Sequence, residues 1–206
     1  MFPVKDAPGH AGAMLWRPRT WLIPAAILAC SALIELGGQA AREALRYERA
    51  AILADGELWR LLTGHLAHLG WTHLLLNGAG LGLVWCLVAG SLSLAGWALV
   101  VLLTIAGIDA GFLLLRPDLA WYVGLSGLLH GLLAAGLVAG FRARPLECVV
   151  IGLGLVCKLT YEQLVGPLPG SAETAGGAVI VAAHVYGAST GTMLGIAASI
   201  RRWRKS

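Results

Sequence analysis

Apolar residues run through this chain in blocks much longer than the alternation of a half-buried strand or the stripe of a surface helix. Six such blocks lie at approximately residues 20–38, 67–89, 94–115, 121–140, 146–165 and 178–199. Each approaches the roughly 20 residues, at about 1.5 Å apiece, that cross a hydrocarbon core about 30 Å thick. The pattern predicts six membrane-spanning helices joined by polar segments, with residues 1–206 forming a single domain and no soluble domain left over. The second, fourth and sixth helices then run in one direction, so residues placed early in each share one layer of the bilayer.

Composition strengthens this reading. The chain is 58% hydrophobic and 13% charged, with a mean hydropathy of +0.76, a balance that does not solvate itself as an ordinary globular domain. Its net charge of +4 would suggest nucleic acid in a soluble protein. Here the basic residues sit at block ends, so no nucleic-acid partner is expected. Lys5, Arg17, Arg19, Arg142, Arg144, Arg201, Arg202, Arg204 and Lys205 stand on one side against Asp6 and Glu147. The other side mixes Arg42, Arg46, Arg49, Arg60 and Arg116 with Glu43, Glu48, Asp55, Glu57, Asp118, Glu162 and Glu173. The excess of basic residues near cytoplasmic ends places both termini in the cytoplasm. Lys5, Arg17 and Arg19 precede a first block read as a retained helix rather than a cleaved leader. Cys30, Cys86, Cys148 and Cys157 show no metal-ligand spacing and read as buried structural thiols. Trp21, Trp59, Trp71 and Trp121 fall near the expected interfaces, as belt anchors do.

Polar residues inside spans are costly, so each asks for a partner or a function. Ser126 stands just inside the fourth block, where free amides and the positive end of the helix dipole favour negative charge. Gly124 and Gly127 flank it without side chains. Gly127 and Gly131 on this block, and Ala183, Gly187, Gly191 and Gly195 on the sixth, form small-residue ridges at four-residue spacing that let helices pack almost backbone to backbone. Such packing would bring His184 to Ser126, supplying the base that a serine nucleophile needs. His73 and Asn77, four apart on the second block, share a face; both suit an oxyanion site. His130, one turn after Ser126, leaves two roles open: a second base, or a ring that stacks on or bonds to His184 and fixes its tautomer.

Other polar residues point to structure. His65 and His68 are expected at the interface, wetted by headgroups. Asp109 is either neutral or paired with a serine, threonine or carbonyl of a neighbouring helix. Lys158, near Tyr161, Glu162 and Gln163, either snorkels outward or pairs with an acid. A rival class also explains the histidines: His65, His68, His73, His130 and His184 converging on one metal or haem. It leaves Ser126 and Asn77 without a role.

The ordered set Gly56-Glu57-Leu58-Trp59-Arg60, His68, His73, Asn77, Gly124-x-Ser126-Gly127 and Ala183-His184-xx-Gly187-xxx-Gly191 resembles the rhomboids, intramembrane serine proteases, over most of the chain. The resemblance implies an all-α membrane protein, a six-transmembrane-helix rhomboid-like bundle. It implies Ser126 as nucleophile and His184 as general base and acid, with His73, Asn77 and the Ser126 amide as the oxyanion site. His130, Gly124 and Gly127 would support them, Trp59 and Arg60 would have a structural role in the first loop, and no metal or cofactor would take part. Rhomboids commonly carry an aromatic residue four positions after the nucleophile. His130 in the run Gly-Leu-Ser-Gly-Leu-Leu-His-Gly departs from this and looks like the bacterial rhombosortase subfamily. That implies a protein of the bacterial inner membrane, contacting lipid, whose partners are exported transmembrane proteins with a C-terminal sorting signal: Gly-Gly, one apolar helix and a basic tail. A rhomboid-like client-binding protein without activity is the other reading within this resemblance, and intact Ser126 and His184 argue against it.

Overall fold

Each apolar block folds as a helix in the computed structural model, which describes residues 18–203. The helices are α1 (Leu22–Leu36), α2 (Trp71–Val88), α3 (Leu94–Leu115), α4 (Ser126–Gly140), α5 (Pro145–Leu164) and α6 (Val181–Trp203). Short helices at Gly38–Leu45, Arg49–Ala54 and Arg60–Thr63 organise the first loop, and another at Ser171–Ala175 lies between α5 and α6. The only strands among the described residues are β1 (Tyr47–Glu48) and β2 (Trp121–Tyr122), paired antiparallel with Tyr47 opposite Tyr122. Lys5, Asp6, Arg17, Arg204 and Lys205, used above for orientation, lie outside the described residues.

By length and composition, two helical stretches suffice to cross a membrane, Trp71–Ser91 and Leu94–Leu115. α1 and α4 are apolar but only 15 residues long, and α5 carries Glu147, Lys158 and Glu162. The surface nevertheless demands lipid: Leu83, Leu114, Leu153 and Leu164 are 60–80% exposed, on a scale that water tolerates poorly.

Helix boundaries follow local chemistry. The Ser93 hydroxyl accepts from the Gly96 amide at 3.1 Å and caps α3. Pro145 opens α5, where its missing N–H costs nothing. The fourth block begins later than its hydropathy suggests. Residues 121–122 pair with the first loop, Gly124 has φ +120°, and the helix starts only at Ser126.

α4 is the axle of the bundle and packs against α2, α3, α5 and α6, most extensively α6. Trp85 and Trp97, with ring centroids 5.3 Å apart, join Leu81, Leu128, Leu132 and Ala135 in one core. At the other end Tyr47, Ile108, Phe112, Tyr122 and Ala183 form a second core beneath the first loop. Between α4 and α6 the glycines carry the contact. A Cβ on Gly187 would strike the carbonyl oxygen of Gly127, and one on Gly191 would strike that of Gly131. Of the cysteines only Cys148 is buried. Cys30, Cys86 and Cys157 are exposed on helices that face lipid, which corrects the expectation of four buried thiols.

Polar ties hold the two ends in register. Arg144 Nη2 donates to Leu87 O at 2.8 Å, linking the start of α5 to the end of α2. At the opposite end Arg49 donates to the carbonyls of Phe112 and Leu113, 3.1 Å each, at the C-terminus of α3. In the first loop the Arg60 guanidinium donates to Glu43 O (2.8 Å) and Arg46 O (3.0 Å) and pairs with Glu57. Trp59 is 53% exposed. Arg60 thus knits the loop, while Trp59 sits at its surface.

Candidate active site

Ser126, His184, His73 and Asn77 all lie in the first two turns of their helices, α4, α6 and α2. Close packing of α4 on α6 leaves His184 Nε2 2.9 Å from Ser126 Oγ. Ser126 is the first residue of α4, so the amides of that first turn have no partner within the helix. His184 is buried and Ser126 half-buried.

The surroundings of His184 extend to α5. Its Nδ1 lies 2.8 Å from Glu162 Oε2, and Glu162 Oε1 accepts from Lys158 Nζ at 2.7 Å. Lys158 Nζ also lies 3.0 Å from His130 Nε2, while His130 Nδ1 lies 2.6 Å from the Ser126 carbonyl oxygen. An ammonium only donates and a carboxylate only accepts, which assigns every proton in this ring. Lys158 donates to Glu162 and to a bare His130 Nε2. His130 Nδ1–H donates to Ser126 O. His184 Nδ1–H donates to Glu162, leaving His184 Nε2 bare to accept the Ser126 hydroxyl proton. The His130 and His184 rings stack, centroids 4.2 Å apart and planes at 16°.

This corrects one expectation about His130. It does stack on His184, but the hydrogen bond that sets the His184 tautomer comes from Glu162. Lys158, expected in a structural role, does pair with an acid, Glu162, and both contact the histidines of the site. The signal was there: an acid and a base at i and i+4 near the end of an apolar helix that runs opposite to α4 and α6, hence at the depth of Ser126.

On the other side of Ser126, the Leu69 amide donates to His73 Nδ1 at 3.3 Å, leaving the proton on Nε2. Asn77 is buried and its Nδ2 has no partner. Both groups lie against Gly124: a Cβ there would come within 2.9 Å of the His73 ring and 3.8 Å of Asn77 Nδ2. Glycine at φ +120° therefore serves twice, by its backbone angle and by the space it leaves. Two N–H donors thus converge beside the residue pair preceding Ser126, where an oxygen developing negative charge would be satisfied. The Tyr122 hydroxyl donates to Gly124 O at 2.6 Å and braces this turn.

His65 and His68 are buried, not wetted by headgroups. The His65 ring lies 3.1 Å from Asp109, so Asp109 is paired with a histidine rather than with a hydroxyl or carbonyl. His68 meets His73 edge to face at 5.1 Å. The five histidines therefore divide among separate contacts. Among the described residues, the potential ligand atoms of His130, Glu162 and His184 lie within 4.8 Å of one another. The Lys158 ammonium already bonds two of those three residues, and a cation would have to displace it.

No curated protein matches this chain. Residues 55–201 match the Rhomboid domain family, a span that runs from the first loop through α2, α3, α4 and α5 and nearly all of α6. With that match covering well over half of the 206 residues, the chain belongs to the rhomboid family of membrane-embedded intramembrane proteases.

Proposed function

We propose that the protein is an intramembrane serine endopeptidase in which Ser126 is the nucleophile, His184 the general base and acid, and His73, Asn77 and the Ser126 amide the oxyanion site. One observation carries the reading: Ser126 Oγ lies 2.9 Å from a His184 Nε2 whose other ring nitrogen is already engaged, at a helix start beside the unpartnered Asn77 donor.

Ser126 Oγ attacks the scissile carbonyl as its proton passes to His184 Nε2. The carbonyl oxygen takes the negative charge and is met by His73 Nε2–H, Asn77 Nδ2–H and the amide of Ser126. Collapse of this adduct breaks the C–N bond, and His184 returns the proton to the leaving amine. Water, or an amine, then takes the acyl group by the same route reversed.

On this reading the chain has six spans and both termini in the cytoplasm, and the chemistry would lie about one to two turns below the outer face of a bacterial inner membrane. The His130 departure favours a rhombosortase. Its substrates would be exported proteins ending in Gly-Gly, an apolar helix and a basic tail. Glycine is costly in a helix, so that segment extends readily for attack.

The test is co-expression of the intact protein, Ser126→Ala or His184→Ala with a reporter carrying such a tail. Processing by the intact protein alone is expected, with both variants inserted and folded. Equal processing by all three overturns the assigned pair; a reporter left whole by the intact protein overturns the substrate class.

A further inference from the structure

Resting on that protease reading, we infer that Glu162, held by Lys158, completes a serine–histidine–carboxylate triad whose third member is delivered by α5. A serine–histidine pair needs only the 2.9 Å contact between Ser126 and His184. Here the second nitrogen of His184 has a carboxylate partner at 2.8 Å, buried on both sides.

Packing does not explain why Glu162 is there. α5 buries only Cys148 and Glu162; along the rest of its length apolar residues such as Leu153 and Val156 stay exposed. What α5 inserts at the level of Ser126 is therefore a carboxylate rather than an apolar side chain. A lone i,i+4 ion pair would turn outward and let its lysine snorkel. Instead both groups turn inward, each onto a different histidine. Burying an ion is costly unless every oxygen finds a partner, and Glu162 meets that condition through His184 on Oε2 and Lys158 on Oε1.

The chemistry that follows is specific. Before reaction, Glu162 holds His184 as the Nδ1–H tautomer, the form able to accept from Ser126. As Ser126 Oγ bonds to the substrate carbon, its proton moves to His184 Nε2. The Nδ1 proton stays on His184, and its hydrogen bond becomes charge-assisted against the imidazolium. Lys158 keeps Glu162 ionised throughout by occupying its other oxygen. The His130 ring, fixed by Ser126 O and Lys158, lies flat on His184 and bars its rotation. Glu162 and Lys158 are positioning residues: neither touches substrate.

The test uses the purified full chain in lipid nanodiscs and a fluorophosphonate probe, with which Ser126 Oγ forms a P–O bond, fluoride leaves, and the proton passes through His184 to solvent. Intact protein, Ser126→Ala, Glu162→Gln, Glu162→Asp and, as a control at the far end of α5, Glu147→Gln are compared for labelling rate and thermal unfolding. In the soluble serine-protease template, changing the carboxylate to an amide lowers the rate about 10⁴-fold. Glu162→Gln is expected to label at least about 100-fold more slowly without losing its fold, with Glu162→Asp recovering part of the rate and Glu147→Gln unchanged. In ¹⁵N-histidine-labelled protein, a low-field Nδ1–H proton is expected in the intact chain and in Ser126→Ala, and lost in Glu162→Gln. Labelling of Glu162→Gln within about threefold of the intact rate, or a loss that only tracks its unfolded fraction, overturns the triad and leaves the serine–histidine reading standing. Failure of the intact protein to label at Ser126 overturns the protease reading, and the triad with it.

Discussion

Gly191 on α6 offers the sharpest test of how the site is assembled, because it lies two turns beyond His184 and touches none of the reacting groups. Its Cβ position is occupied by the carbonyl of Gly131 on α4, with the Gly131 Cα also in the way at 2.8 Å. No side chain there can rotate aside, since both obstacles are backbone. For an alanine methyl to reach the roughly 3.3 Å of a close C–H···O contact, α6 must move outward by on the order of 1 Å. Overpacking of this kind costs about 1–3 kcal/mol. The same displacement, carried along a stiff helix to His184, stretches a 2.9 Å hydrogen bond to Ser126 beyond useful reach. Misplacement by about 1 Å lowers rates about 100-fold. Gly191→Ala is therefore expected to slow fluorophosphonate labelling of Ser126 by about two orders of magnitude and to lower the thermal midpoint. Gly152→Ala on α5, where a Cβ meets nothing within 4 Å, serves as the control. Labelling of Gly191→Ala at the intact rate with an unchanged midpoint would refute the claim that backbone contact sets the Ser126–His184 distance.

Three other outcomes follow from particular contacts. Asn77→Leu removes an unpartnered buried donor: labelling should fall by about 10² to 10³, the usual effect of losing one oxyanion donor, while the unfolding midpoint holds or rises; a stability loss without a rate loss would make Asn77 structural. Arg49→Met leaves the Phe112 and Leu113 carbonyls without their charged donor, and a loss of about 2 kcal/mol, read as a drop of several degrees in thermal unfolding, is expected. Burial, with His73 alongside, pushes the pKa of His68 down to about 4 from about 6.5 in an unfolded chain. Its folded pKa is the lower one, so stability from this group is present above pH 6.5 and falls as pH drops towards 4, by about 1.4 kcal/mol per unit at most. His68→Gln should flatten that slope in denaturation measured between pH 4 and 7, and an unaltered slope would count against it.

Much of the fold was legible because hydrophobic blocks and glycine spacing are local properties. The block at 94–115 and helix α3 coincide in their bounds, since Ser93 caps one end and the apolar run sets the other. The start of the fourth helix is less legible: Trp121 and Tyr122 are apolar enough to read as span, but they pair with Glu48 and Tyr47, 73 and 75 positions earlier, partners no window contains. The same blindness touched His65 and Asp109. Each looked unpaired along its own segment, and only the docking of the first loop against α3 brings the ring to the carboxylate. The cysteines failed for another reason. Cys30, Cys86 and Cys157 sit in apolar sequence, but an apolar helix in lipid has an outer face as apolar as its core, so hydropathy cannot tell buried from exposed.

Glu162 and Lys158 show what a fuller use of topology recovers. Alternating helix direction means that one layer of the bundle collects residues early in α2, α4 and α6 and residues late in α3 and α5. Counting from helix starts finds His73, Asn77, Ser126 and His184. Counting back from helix ends finds Asp109, Lys158 and Glu162, six, six and two residues before the last residues of their helices, Leu115 and Leu164. Those are the span charges that gain histidine partners, at 3.1, 3.0 and 2.8 Å. In hydrocarbon a charge is retained only where a partner lies at the same depth, so the layer that holds the nucleophile is also where ionic residues can be held. The polar contacts of this protein are concentrated at one end because the cost of burying them is met once, by a shared network, rather than separately in each helix.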